Sequence, residues 1–385
     1  MKIKCQPEDF RVEELTDLPL KGGSQAIYRL TKRSLGTPEA VDAIANRWKL
    51  RRETFSFGGM KDRHALTSQH ITIHNGPKRN LKQTNIELEY LGQVAEPFGP
   101  HHISANRFTL VVRDLAEATS AKAMTAIEEV RTHGFPNYFD DQRFGSVGES
   151  GAFVARAWCL GDVERALWLA IAEPNQHDRP AGKEHKRILR EGWGKWKELA
   201  AAMEGFEHRR IVLKLVERPE DFRSAMAALP APQRDTLLSA FQSHLWNRML
   251  ARLIRQHCNE GSRFDVKLGP DAVPLFRTLT VEAKAAMAEL QLPFPSARER
   301  PELEPVKTLY HETLAELELK AEQLKVKWPR DVFFKKGARP ALVMPAGLSA
   351  VSNDDELYEG RRKVTLAFDL PRGAYATILV KRVFG

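Results

Sequence analysis

The chain has 385 residues, 42% of them hydrophobic and 28% charged, enough apolar material for a sizeable core and too much for a disordered protein. Its 59 Lys and Arg outnumber its 50 Asp and Glu, and the resulting charge of +9 favours a polyanionic partner, nucleic acid or an anionic surface. Cys5, Cys159 and Cys258 are odd in number and far apart, which excludes a disulfide framework and a CxxC metal site and fits a reducing compartment. No run approaches the ~20 apolar residues of a membrane helix. The start of the chain reaches Pro7, Glu8 and Asp9 before any signal-like run, so the expectation is a cytoplasmic protein with no membrane partner.

Phe10–Leu15 and Gln25–Leu30 alternate as strands do, and a hairpin-like pair is the simplest reading of them. Thr37-Pro38-Glu39 then offers a capping hydroxyl, a proline at the first helical position and an early acid. Val41, Ile44, Ala45 and Trp48 follow at helical spacing. Thr54–Phe57 and His70–Ile73 return to period two. Between these runs lies Gly58-Gly59-Met60-Lys61-Asp62-Arg63, a glycine pair followed by one carboxylate among cations. The glycines permit positive φ and close approach of a ligand to the main chain. A triplet such as Lys-Asp-Arg is by itself compatible with a solvated turn, and also with a site centred on Asp62.

Arg107–Arg113 reads as a strand with cations at both ends, and Ala121–Val130 as a helix. His133–Gly145 is rich in turn residues and interleaves Phe135, Tyr138, Phe139 and Phe144 with Asn137, Gln142 and Arg143. Such aromatics either stack on a base or anchor the loop in a core. From about Trp158 helical patterns broken by prolines suggest an inserted helical subdomain. Arg179–Lys214 is strongly cationic, with Trp193 and Trp196 among its charges, and reads as a track for phosphates or a solvated face. Two amphipathic helices follow, one opened by Pro232 with a stripe of Leu238, Phe241, Leu245, Met249 and Leu253, the other over 306–324. Strand texture returns after Gly337, with Val364, Leu366 and Phe368 on one face and a last apolar run ending Lys381-Arg382. A sheet begun at one end of the chain and resumed at the other places a helical insertion between two halves of one α+β domain.

In this order the segments resemble the TruD family of tRNA pseudouridine synthases. The matching motifs are Lys4-x-x-Pro7-Glu8-Asp9-Phe10, Gly59-x-Lys61-Asp62-Arg63-x-Ala65-x-Thr67-x-Gln69 and Asn106-Arg107-Phe108. Later in the chain come Pro136-Asn137-Tyr138-Phe139-x-x-Gln142-Arg143-Phe144-Gly145, Ser239-x-x-Gln242-Ser243-x-Leu245-Trp246-Asn247 and Leu370-Pro371-x-Gly373-x-Tyr375-Ala376-Thr377. Ala105 departs from the glycine common before Asn-Arg-Phe. The resemblance implies a pseudouridine synthase fold, α+β, with a mixed, largely antiparallel sheet flanked by helices and a mainly helical insertion domain. The boundaries expected are 1–157 and 337–385 for the catalytic domain and 158–336 for the family-specific insertion.

It also implies isomerisation of uridine to pseudouridine in tRNA, at position 13 in the D arm, with no cofactor and no metal. Asp62 would be the catalytic aspartate, Phe139 the base-stacking residue and Asn137 a support of the active-site loop. An ionised aspartate next to C1′ of the nucleoside could attack that carbon or take the C2′ proton. Its charge calls for a cation nearby. In an extended segment Lys61 and Arg63 point away from Asp62, so the candidate is Lys4, which matches a family position and is counted with Phe139 and Asn137 among the substrate-binding residues. Two other readings stand beside it: an RNA-binding or remodelling protein without turnover, which shares the basic charge, and a nucleoside glycosidase with Asp140 or Asp141 as a second carboxylate. No repeat or interface signature stands out, so monomer is the default.

Overall fold

In a computed structural model that describes residues 1–385, the chain forms two compact units, one of Met1–Phe135 with Val343–Gly385 and the other of Pro136–Leu342. Residues 136–157 and 337–342 thus fall in the second unit.

The first unit is built on a ten-stranded sheet. From one edge the strands run Ala346–Asp354, Arg362–Pro371, Ala105–Leu115, Phe10–Leu15, Leu66–His74, Gln25–Arg33, Ile86–Val94 and Leu81–Gln83. Lys2–Ile3 pairs with Ala105–Leu115, and Phe55–Phe57 pairs with Leu66–His74. All pairs are antiparallel except Phe10–Leu15 with Leu66–His74, so the sheet is mixed and largely antiparallel, and the class is α+β as expected. The expected hairpin of Phe10–Leu15 with Gln25–Leu30 does not form: Leu66–His74 lies between them and hydrogen-bonds to both. Alternation marks a strand as half-buried and says nothing about which strand it pairs with.

Ala26, Tyr28 and Leu30 pack with Ile71, Ile73 and Leu88 under the helix Thr37–Trp48, which contributes Ala40, Val41 and Ile44. The helix Glu117–His133, longer at both ends than its apolar core suggests, buries Ile127 and Val130 beside Ala376–Phe384. That last apolar run is therefore a helix. Arg113 is buried, donates to Asp9 and Asp355, and fixes the start of the chain against the strand Ala105–Leu115.

The second unit is mainly helical. Its long helix Ala231–His257 buries the predicted stripe and also Trp246, Leu250 and Ile254, so it is covered on several sides rather than along one. The helix expected over 306–324 stops at Glu316, because Glu318 takes φ 54° and the chain turns before the short 3-10 segment Ala321–Gln323. In the basic stretch, Arg187 is held by Glu184 and Glu191, and Lys186 by Asp178. Arg190, Arg209 and Arg210 bond backbone carbonyls, Trp193 donates to Glu164, and Trp196 is buried. Much of this charge holds helices together.

Candidate active site

Because Phe10–Leu15 and Leu66–His74 run parallel, with Arg11 opposite Leu66, the segments leading into both strands emerge at the same end of the sheet. One segment carries Lys4, the other Asp62. Lys4 takes φ 56°, uncommon for a side chain other than glycine, asparagine or aspartate. Its ammonium lies 4.0 Å over the Phe10 ring and 3.3 Å from Asp62 Oδ1. A flexible lysine is thereby given one position by a cation–π contact and one by an acid. The two flanking cations are turned elsewhere. Lys61 Nζ reaches Asn106 Oδ1 at 2.6 Å and Glu14 Oε2 at 2.9 Å, and Arg63 pairs with Glu39.

Four residues to which the sequence reading gave no part in the site hold the Asp62 loop: Lys32, Thr37, Gln69 and Glu14. Lys32 is fully buried and donates to the carbonyl oxygens of Leu35 at 2.6 Å, Asp62 at 2.9 Å and Lys61 at 3.3 Å. Burial pushes its ammonium down to about 8, against the opposing pull of the Asp62 and Glu39 charges. Thr37 was expected to cap its helix, but Gly36 takes that place. The Thr37 hydroxyl instead accepts the Lys61 N–H at 3.0 Å and donates to Gln69 Oε1 at 2.8 Å. Gln69 in turn donates to the Gly59 carbonyl at 3.2 Å. Glu14 is buried, accepts the His70 N–H at 2.9 Å and binds Lys61. Burial works against its ionisation, yet the bonds from His70 and the charge of Lys61 hold its carboxyl below the usual range. A signal for two of these residues was present: Phe10, Val12 and Glu14 share one strand face, as do Ala26, Tyr28, Leu30 and Lys32. A charge at an inward register position calls for a partner.

Neither Gly58 nor Gly59 has positive φ. Gly58 is tight for another reason, since a Cβ there would lie 2.5 Å from Ile103 Cδ1, with Phe98 also close. At Gly59 a Cβ would meet nothing within 4 Å, so the main chain just ahead of Asp62 is open to an approaching molecule.

Asn137 and Phe139 lie in the second unit. The Asn137 side chain donates to the Pro340 carbonyl at 2.9 Å and accepts from Arg339, which also donates from Nε to the Asn137 carbonyl at 2.8 Å. Asn247, on the long helix, clasps Phe139 at both ends of its peptide unit, each bond 2.9 Å. The Phe139 ring is edge-on to Trp246 at 5.5 Å and carries the Arg339 guanidinium 4.1 Å over its face. Phe135, Tyr138, Phe139 and Phe144 are all buried, so the loop is anchored by its aromatics. Asp141 accepts the Gly269 N–H at 2.7 Å.

Glu96, His101 and His102 bring three ligand atoms within 4.8 Å of one another. His102 Nδ1 accepts the Gly99 N–H at 2.9 Å, however, so in the neutral ring Nε2 carries the proton toward Glu96 and has no lone pair for a metal.

The family model for tRNA pseudouridine synthase D (TruD) matches residues 1–383. The chain belongs to the TruD family. A Methanocaldococcus jannaschii relative described as "Probable tRNA pseudouridine synthase D 2" is 29% identical over 397 residues, covering 100% of this chain and 92% of the relative. The tRNA pseudouridine synthase D of Aquifex aeolicus is 28% identical, covering 100% and 98%. Among solved structures, a Methanosarcina mazei protein described as "Putative tRNA pseudouridine synthase D (TruD)" matches with a TM-score of 0.75 at 26% identity, over 100% of this chain and 93% of its own. Membership makes this TruD protein a pseudouridine synthase by family, an isomerase with tRNA as the implied substrate. No helix of the chain is long and apolar enough to cross a membrane.

Proposed function

We propose that this TruD protein converts uridine 13, in the D arm of tRNA, to pseudouridine with Asp62 as the catalytic carboxylate. The observation that carries the reading is the Lys4–Asp62 pair at 3.3 Å, on a loop whose carbonyls are held from beneath by Lys32 and whose glycine edge is open. The reaction breaks the C1′–N1 bond, turns the uracil and rejoins it through C5. The C5 proton leaves, N1 gains one, and no electrons are lost. Asp62 serves this either by attack on C1′ or by taking the C2′ proton, and both roles need a fixed, part-exposed carboxylate. Lys4 holds that carboxylate in place.

Phe139 and Asn137, at the positions the family motif marks, are assigned to the base, which must leave its stack before C1′ can be reached. In the same reading, residues 158–336 are the family-specific insertion between catalytic parts 1–157 and 337–385, and the protein acts as a cytoplasmic monomer.

The test is Asp62→Asn, assayed for pseudouridine in a tRNA transcript, with the modified position mapped. Loss of product by about 10²–10⁴-fold with tRNA binding kept is expected. Undiminished product removes Asp62 from the mechanism. Wild-type protein that binds tRNA but forms no pseudouridine would make this an RNA-binding protein without turnover.

A further inference from the structure

We infer that Lys325–Phe333 of the second unit is a second RNA-docking platform, which takes an unpaired stretch of the RNA away from the reacting uridine. The inference rests on the RNA-binding part of the proposed function and not on its catalytic part.

The segment divides its apolar residues into two sets. Val326 and Val332 are buried and pin the chain, whereas Trp328 is 49% exposed and Phe333 is 54% exposed. Two clefts flank it, one of about 820 Å³ that includes Trp158, Trp328 and Arg223, the other of about 410 Å³ that includes Phe333 and Arg298. Lys325, Lys327 and Arg330 line both. Three cations common to two neighbouring clefts form the ridge between them, with an aromatic ring on either side.

The local acids do not neutralise this ridge. Asp331 is paired with Arg234, Glu322 with Arg300, and Asp221 caps the Ser224 N–H. In Arg179–Lys214, by contrast, acids and carbonyls take up Lys186, Arg187, Arg190, Arg209 and Arg210, and its tryptophans are bonded or buried. The ridge therefore presents positive charge flanked by the exposed Trp328 ring and by Phe333, one face of which carries the Arg298 guanidinium 5.8 Å from the ring centroid. A protein partner would call for an interface core depleted of charge. Duplex RNA would offer phosphates but no base faces. Single-stranded RNA supplies both complements, a phosphate chain for the ridge and splayed bases for the rings, and the larger cleft is of a size that holds a nucleotide.

The test measures tRNA-transcript affinity of the full chain as a function of salt, with no turnover required. Trp328→Ala and Phe333→Ala are each expected to weaken binding by about 5–150-fold, while Trp328→Phe keeps most of the affinity. Lys327→Ala with Arg330→Ala should lower the slope of log affinity against log salt by about 1.4. Both aromatic positions are about half exposed, so the variants should melt as the wild type does. Affinity and salt slope unchanged in Trp328→Ala/Phe333→Ala and in the cation variant would overturn the platform. So would equal losses in Trp328→Ala and Trp328→Phe, or a change in self-association with RNA binding intact. A wild type that forms no pseudouridine overturns the catalytic reading and leaves the platform to stand or fall on the binding data.

Discussion

In Lys32→Met a buried ammonium is lost while most of the side-chain volume stays. The fold moves this lysine from 10.5 to about 8. At 1.36 kcal/mol per pH unit, that means the native state disfavours the charged form by about 3 kcal/mol, which the methionine no longer bears. Against this gain, the carbonyls of Leu35, Lys61 and Asp62 lose their donor, at about 1–3 kcal/mol for each that water does not reach. With all three carbonyls out of reach of water the loss is about 3–9 kcal/mol, so the net destabilisation lies between about 0 and 6 kcal/mol. Activity should suffer as well. The lost donor is what holds the backbone of Asp62, and a displacement of about 1 Å at a catalytic group can cost 100-fold. So kcat should fall about 100-fold in a variant that remains folded and binds tRNA.

The pH dependence has a definite sign. Between about 8 and 10.5 the unfolded chain keeps a proton on Lys32 that the native state has given up, so wild-type stability rises across that window. The variant lacks this rise. Single-turnover pseudouridine formation and urea melts from pH 7 to 10.5 measure both effects. A folded variant with kcat within twofold of wild type would refute the positioning role, and matching stability profiles would refute the buried charge.

Gly59→Ala should fold with stability within about 0.5 kcal/mol of wild type, since its Cβ meets nothing, yet raise KM for tRNA if RNA approaches there. Gly58→Ala should instead destabilise by about 1–3 kcal/mol through the Ile103 and Phe98 contacts, read by thermal melting. Glu14→Ala leaves the nearly buried Lys61 ammonium without its acid and should cost about 3–5 kcal/mol. Because the folded Glu14 carboxyl lies below its ordinary 4.5, its contribution is present above that pH and is lost as pH falls through the lower folded value. The acid limb of the wild-type stability profile should therefore be shallower in the variant.

Local signals carried the half-buried strands, the helix Thr37–Trp48 and the apolar stripe of Ala231–His257, because each is set by side chains a few positions apart. They misled where a side chain had a distant use for its polar group. The Thr37 hydroxyl looks like a cap and is in fact bonded to the Asp62 loop and Gln69. The cations of 179–214 look free for phosphate, but in the fold many of them meet acids and carbonyls that only helix packing brings near.

By itself the sequence carried the family through its motifs, and with it the α+β class, Asp62 as the candidate carboxylate and the expectation that Lys61 and Arg63 point away from it. Which cation meets Asp62 was decided by tertiary structure. Lys4 is 58 residues away in the chain, and it arrives because Phe10–Leu15 pairs in parallel with Leu66–His74 rather than forming a hairpin with the next strand. Lys32 reaches the same loop from the antiparallel neighbour on the other side of Leu66–His74. Strand order is chosen by the burial of whole sheet faces, a long-range balance that no short window of residues contains.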